Sequence, residues 1–157
     1  MQNQCQSSKR RGFTLVELLI VVVILVILAL IAVPKFMNSA QRSREAALRS
    51  DLKLMRNGIE LFTNDTGLNP LALADLAATT APGHGADQTS GASTVLVASL
   101  WYGPYIYAIP NDPINNTNDW SYTVAGGTIP SGGTAAFAWV ESGSTATALD
   151  GTVYNTW

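Results

Sequence analysis

A long apolar stretch near the start of the chain constrains its fold more than any other feature. Residues 13–33 are apolar except for Thr14 and Glu17, and residues 18–33 contain no polar side chain. As a helix, these 21 residues span about 31 Å, close to the roughly 30 Å hydrocarbon core of a bilayer. Lipid offers the backbone no hydrogen-bond partners, so such a segment must be helical. We therefore predict a transmembrane helix over residues 13–33.

A cleaved secretory signal peptide is an alternative interpretation of this stretch. The apolar region of a signal peptide normally has about 7–15 residues, fewer than are present here. The residues Leu30-Ile31-Ala32 and Asn38-Ser39-Ala40 also lack a small residue two places before their final alanine. Both observations favour a retained span.

The helical pattern continues beyond Pro34, which we expect to kink the helix at that point. A single helical face is indicated by apolar residues that recur at alternating steps of four and three. A cluster of turn residues at 64–67 predicts the end of this stem, which we place at 34–64. One helix over 13–62 is about 75 Å long, so its first half needs lipid or neighbouring copies around it. The apolar face consists of Leu48, Leu52, Met55, Ile59 and Phe62.

The remaining residues, 65–157, predict a small globular head. Residues 69–78 indicate a short helix with Pro70 at its first position, and residues 79–94 indicate a variable loop that contains His84, which we expect to be solvated. Three short alternating runs predict antiparallel strands, and the apolar face of the stem is their natural cover. We therefore predict an α+β fold, a long N-terminal helix packed on a small antiparallel sheet. The three runs are 120–124, 135–140 and 152–157.

The charges divide sharply between the two parts of the chain. All nine basic residues lie at or before Arg56, so residues 57–157 contain neither lysine nor arginine. The same residues 57–157 contain eight acidic residues. An acidic head is a poor nucleic-acid binder, because neutralising phosphates needs Lys or Arg. Residues 35–56 carry six basic and two acidic groups. We hypothesise that the stem of one copy faces the head of another in a packed assembly.

The residues that enzymes use for chemistry are scarce in this sequence. Cys5 and His84 are its single cysteine and single histidine. Cys5 lies in the polar segment before the apolar stretch and His84 in the predicted loop, so they indicate no nucleophile–base pair. No Gly-rich phosphate loop precedes a helix. We therefore expect a protein that is not an enzyme.

The residues around the start of the apolar stretch form a specific motif. Lys9-Arg10-Arg11-Gly12 is followed by Phe13-Thr14-Leu15-Val16-Glu17 and then by the apolar run. This arrangement resembles the class III leader and N-terminal methylation motif of the type IV pilin superfamily, whose members include type IV pilins and type II secretion pseudopilins. Pro34 also lies where that family commonly has a helix-kinking proline. The resemblance covers residues 9 to about 62.

The resemblance implies a processing pathway and an assembly residue. Residues 1–12 would be a leader that prepilin peptidase removes between Gly12 and Phe13, and Phe13 would then be N-methylated. Glu17 would pair with the new Phe13 amine of an adjacent subunit. The last expectation also has a physical basis, because a carboxylate within a membrane must be paired or neutralised.

The resemblance also implies the location and the partners of the chain. We expect a single-pass protein of the bacterial inner membrane with a cytoplasmic N-terminus and a periplasmic head, and later a periplasmic or cell-surface filament. The basic residues alone do not orient the span, because they flank it on both sides. The expected partners are further copies in a helical filament, prepilin peptidase, an assembly platform, minor pilins and, before assembly, membrane lipid.

The head carries a second resemblance, to the major pseudopilins of type II secretion. Gly103-Pro104-Tyr105-Ile106 and Ile109-Pro110-Asn111-Asp112-Pro113 are similar to a segment of those proteins, although a turn-rich loop with aromatic packing would have a similar composition. The alternatives are a type IV pilin for adhesion, motility or DNA uptake, and a membrane-anchored binding domain.

A calcium loop would be expected near the C-terminus of a major pseudopilin. Asp150-Gly151 and Trp157 are similar to such a loop, but the further acidic residues are missing. Calcium takes six to eight oxygen ligands, and Asp112, Asp119 and Asp150 are dispersed in the sequence. We assign no metal ligand and expect no cofactor, with calcium left open.

Overall fold

The computed structural model describes residues 12–127, 134–135 and 137–157. One α-helix, α1 (Leu15–Thr66), precedes two short hairpins. The first hairpin joins β1 (His84–Ala86) to β2 (Ser93–Val95), and the second joins β3 (Trp120–Thr123) to β4 (Trp139–Ser142). These elements form the predicted α+β fold. Three 3₁₀ helices, Leu73–Ala77, Ala98–Leu100 and Tyr154–Thr156, complete the described elements.

The chain divides into two compact units between Ser39 and Ala40. In the first unit, α1 contains an 18-residue window with a mean hydropathy of 3.5, and none of that window is buried within the protein. Its length and composition are sufficient to cross a membrane. The second unit, residues 40–157, contains the rest of α1 and all the strands of the described residues.

The core of the second unit forms on the apolar face of α1. Leu48, Leu52, Met55, Ile59 and Phe62 are all buried there, as the alternating spacing of four and three predicts. Burying a side chain of this size contributes roughly 1.5–3 kcal/mol, so this face supplies much of the stability of the head. The buried residues that complete the core are Leu76, Leu96, Ile106, Val140, Ala148 and Tyr154.

The segment 79–94, expected to be a loop, contains β1 and the first part of β2. His84 pairs with Val95 and Ala86 with Ser93 in antiparallel register. The Asp87 carboxylate accepts hydrogen bonds from the backbone N–H groups of Thr89 and Ser90, at 3.0 and 2.8 Å. This Asp-centred turn reverses the chain and lets short polar strands pair, which apolar periodicity alone does not reveal.

The C-terminal sheet has two strands where we predicted three. β3 and β4 pair antiparallel, with Trp120 opposite Ser142 and Thr123 opposite Trp139, so the second strand starts later than predicted. The predicted strand at 152–157 is wrong. It makes one isolated bridge, from Val153 to Thr147, and then turns into the 3₁₀ helix Tyr154–Thr156. That turn places the Tyr154 side chain in the core, which an extended continuation would not require.

Candidate assembly site

The first turn of α1 is a helix cap built from Thr14 and Glu17. The Thr14 backbone N–H donates to Glu17 Oε2 at 2.9 Å, and the Thr14 hydroxyl donates to the same oxygen at 2.9 Å. The Glu17 N–H lies 3.3 Å from Thr14 Oγ1. This reciprocal arrangement is a capping box, which satisfies helix N-terminal donors that otherwise lack partners. Thr14 and Glu17 therefore start the helix.

The same turn leaves part of the Glu17 carboxylate open to another molecule. Within the described residues, both hydrogen bonds to this carboxylate go to Oε2, and Oε1 accepts none. Phe13 is next to the cap and its side chain is 80% exposed, and Gly12 is also exposed. The proposed cleavage junction thus lies just before the helix and the carboxylate in its first turn, with one carboxylate oxygen free to accept a donor.

The apolar side chains that follow Glu17 have little to pack against in a single copy. Those of Leu18–Leu28 are about half exposed or more, and Leu30 is 72% exposed. A helix that is apolar all round requires lipid or other helices.

Position 34 lies inside α1, and the helix kink expected at Pro34 stays a prediction.

The head is attached to the stem helix through a buried carboxylate, Glu45. Its Oε1 accepts hydrogen bonds from the backbone N–H of Leu149 at 2.8 Å and from the Tyr154 hydroxyl at 3.0 Å. Gln41 Nε2 donates to the same oxygen at 3.3 Å. Burial raises the pKa of the Tyr154 hydroxyl, which therefore remains a donor at neutral pH. The role of Glu45 is not visible in the sequence, because two of its three donors lie more than 100 residues away.

Two arginines of the stem helix, Arg49 and Arg56, contact the C-terminal segment of the head. The Arg49 guanidinium lies 4.2 Å from the centroid of the Trp157 ring and 3.9 Å from an Asp150 oxygen. Arg56 donates to the main-chain oxygen of Trp157 and, at 2.9 Å, to that of Val140. Burial lowers the pKa of Arg56, and the nearby Glu141 opposes the shift. These arginines are therefore occupied within their own chain.

The Gly-Pro-Tyr segment of the head packs against the stem. Tyr105 contacts the Phe62 ring edge-on at 5.5 Å, and its hydroxyl donates to Asp65 at 3.0 Å. The backbone N–H groups of Tyr105 and Ile106 both donate to the Leu76 carbonyl, at 2.8 and 3.1 Å. This segment positions the head on the helix.

The three acidic residues considered for calcium each accept hydrogen bonds from different neighbours. Asp112 is buried and accepts hydrogen bonds from the Ser142 hydroxyl and the Ile114 N–H. Asp119 accepts from the Asn115 amide at 3.1 Å, and Asp150 from Thr152. Among residues 12–127, 134–135 and 137–157, no three acidic, His or Cys residues form a metal-binding group.

The chain is similar in sequence to proteins of known families. Residues 7–33 match the family model of the prokaryotic N-terminal methylation motif. Type II secretion system core protein G of Aeromonas hydrophila is 30% identical over 111 residues, which cover 71% of this chain and 72% of that protein. The core protein G of Pseudomonas aeruginosa is 29% identical over 110 residues, or 67% and 78%. No solved structure matches the chain significantly.

Type IV pilins match a shorter part of the chain. The type IV major fimbrial protein FimA of Dichelobacter nodosus is 47% identical over 58 residues, which cover 37% of each protein. The methylation motif, the exposed apolar helix and the α+β head define a pilin-like protein. Within that class, the chain belongs to the family of the type II secretion core protein G, the pseudopilins.

Proposed function

We propose that this chain is the structural subunit of a type II secretion pseudopilus, a filament whose growth from the inner membrane drives protein secretion. The proposal rests on the capped first turn of α1, where the carboxylate of Glu17 keeps one oxygen open four residues after the processing junction. The match to core protein G over two thirds of both chains supports the secretion role over a surface pilus. No step of this role requires the chain to catalyse a reaction.

The proposed assembly follows from the chemistry of the first turn. Cleavage between Gly12 and Phe13 by prepilin peptidase creates a cationic amine at the depth of Glu17, and the enzyme then methylates it. Glu17 Oε1 accepts a hydrogen bond from that amine on a neighbouring copy, which neutralises both charges within the membrane. Neighbouring helices replace lipid around the exposed apolar side chains. The assembly platform and minor pilins start and extend this polymer from a cytoplasmic N-terminus.

Two substitutions separate the intermolecular role of Glu17 from its role in the helix cap. Glu17→Leu removes both the cap and the carboxylate, whereas Thr14→Ala removes most of the cap and keeps the carboxylate. We expect Glu17→Leu to insert in the membrane but to lower filament yield at least about tenfold, consistent with an unpaired amine in lipid. Thr14→Ala should assemble at close to the normal yield. Equal yields from Glu17→Leu and the unmodified chain would contradict the proposed pairing.

Mass spectrometry of the N-terminus tests the processing and distinguishes the alternatives. It should be applied to material sheared from whole cells and to the remaining envelope. A chain that starts at methylated Phe13 and stays in the envelope supports a pseudopilus, whereas abundance in the sheared fraction indicates a surface pilus. A chain that still starts at Met1 would indicate an anchored binding domain.

A further inference from the structure

The basic residues of the stem helix have a regular spacing. Arg42, Arg49 and Arg56 follow one another at seven-residue steps, and each step of two turns drifts only about 20° around a helix. Lys53 lies three residues before Arg56 and so falls on the same side. We call Arg42, Arg49, Lys53 and Arg56 the basic stripe. Arg44 lies outside it, since two residues turn the helix by about 200° from Arg42.

The four side chains of the basic stripe differ in whether they contact other residues of their own chain. Arg49 and Arg56 contact Trp157, as described above. Arg42 and Lys53 are exposed, and neither makes a hydrogen bond or ion pair through its side chain within the described part of the chain. The stripe therefore presents two cations that form no ion pair with an acidic group in the described part of the same copy.

The opposite charge is concentrated in the head. Residues 65–157 contain seven acidic residues without a lysine or arginine. Asp119 is exposed, and the hydrogen bond to its side chain comes from the neutral Asn115 amide. Heads of this charge repel one another when copies pack closely, unless cations lie between them.

We propose that the basic stripe is the docking surface for the acidic head of a second copy of this chain. The proposal rests on the proposed function, because a filament is what brings copies side by side. Charge complementarity selects the occupant, since after the transmembrane segment every cation of a copy lies on its stem helix. Each exposed pair is individually weak and screened by salt, so the contact sets the register of neighbouring copies more than their affinity.

A pair of charge reversals on the same helix tests the proposal. Arg42→Glu changes the stripe, and Arg44→Glu makes the same change two residues away, off the stripe, at another exposed arginine without a partner in the described chain. At low salt we expect Arg42→Glu to lower filament yield about fivefold, and Arg44→Glu to leave it close to normal. The difference should shrink as salt is added. Equal yields from the two variants would overturn the proposal.

Two controls separate this result from other failures. Thermal unfolding of each variant in detergent shows whether the head still folds, since both positions are exposed and should tolerate the change. The unmodified chain must be processed at Phe13 and form filaments in the same experiment. If it does not, the proposed function fails, whereas equal behaviour of the two variants in assembling material rejects the stripe alone.

Carbodiimide cross-linking identifies the partner of the stripe directly. Beyond residue 12, Lys35 and Lys53 are the two lysines of the chain, so a cross-link from either can be assigned without ambiguity. Filaments assembled from mixed ¹⁵N-labelled and unlabelled copies distinguish links between copies from links within one copy. We expect Lys53 to join a carboxylate of residues 65–157 in another copy. Links of Lys53 confined to its own copy, or their absence, would contradict the proposal.

Discussion

At the residue scale, a few polar side chains determine how the stem and head are joined. Glu45 is buried on the stem helix with an oxygen that accepts hydrogen bonds from Gln41, Leu149 and Tyr154. A buried carboxylate is tolerated only when donors compensate its lost hydration. Because two of these donors come from the C-terminal segment, Glu45 fixes that segment to the helix.

We expect Glu45→Ala to lower the free energy of unfolding by about 2–3 kcal/mol, because it leaves the Leu149 N–H and the Tyr154 hydroxyl without an acceptor. Glu45→Gln is the matched control, since its amide oxygen can still accept at the same place, and it should cost less than half as much. Urea unfolding of the processed chain in detergent micelles measures both values. A loss for Glu45→Ala below about 0.5 kcal/mol would show that the buried cluster contributes little.

At the element scale, α1 is one continuous helix with two different side-chain patterns. Its first part exposes apolar side chains on all sides, whereas its later part buries one face and exposes polar groups on the others. The helix ends at Thr66 and is followed by Gly67 with φ of 73°, a conformation that glycine adopts without strain. The hydroxyl of Thr66 also bonds back to the Phe62 carbonyl at 2.7 Å.

Two leucines on this element test the division between its buried and exposed faces. Leu52 is 2% exposed and Leu54 is 47% exposed, although they are two residues apart on the same helix. We expect Leu52→Ala to destabilise the head by about 2–5 kcal/mol, because it leaves a cavity in the core. Leu54→Ala should change the unfolding free energy by less than about 0.5 kcal/mol. Chemical denaturation of both variants measures the difference, and similar losses would mean that the assigned face is wrong.

The elements differ in how far the sequence alone predicts them. The apolar face from Leu48 to Phe62 can be predicted because residues on one helix face recur at steps of three and four in the sequence. The hairpin of β1 and β2 was missed, because its pairing depends on the Asp87 turn and on contacts such as the antiparallel bridge from Asn69 to Ala86. The first turn around Glu17 was recognisable from its motif, although its bonds to Thr14 were not.

At the scale of the whole molecule, the chain combines a membrane segment with a head that has its own core. The division between Ser39 and Ala40 leaves all the core residues of the described chain in the second unit. The part of α1 that belongs to this unit carries the buried apolar face, so the unit retains the surface against which its sheet packs. Removing the first unit should therefore remove the need for detergent without preventing the head from folding.

We expect a chain that starts at Ala40 to be soluble without detergent and to unfold cooperatively, because it keeps the whole core and loses the exposed apolar helix. The full chain should remain in the membrane fraction until detergent is added. Size-exclusion chromatography and near-ultraviolet circular dichroism of the shortened chain check this prediction. A shortened chain that aggregates or lacks fixed aromatic signals would show that the first unit is needed for the head to fold.

Four features can be predicted from the amino-acid sequence alone: the membrane helix, the processing motif, the apolar face of the stem and the separation of charge. Each of these depends on composition or on spacing along one helix, where physical neighbours are also close in sequence. The tertiary structure alone decided the roles of Glu45 and Arg56, the pairing of β1 with β2 and the loss of the third C-terminal strand. Those features arise from contacts between distant segments, where burial and hydrogen-bond partners depend on how the chain folds back.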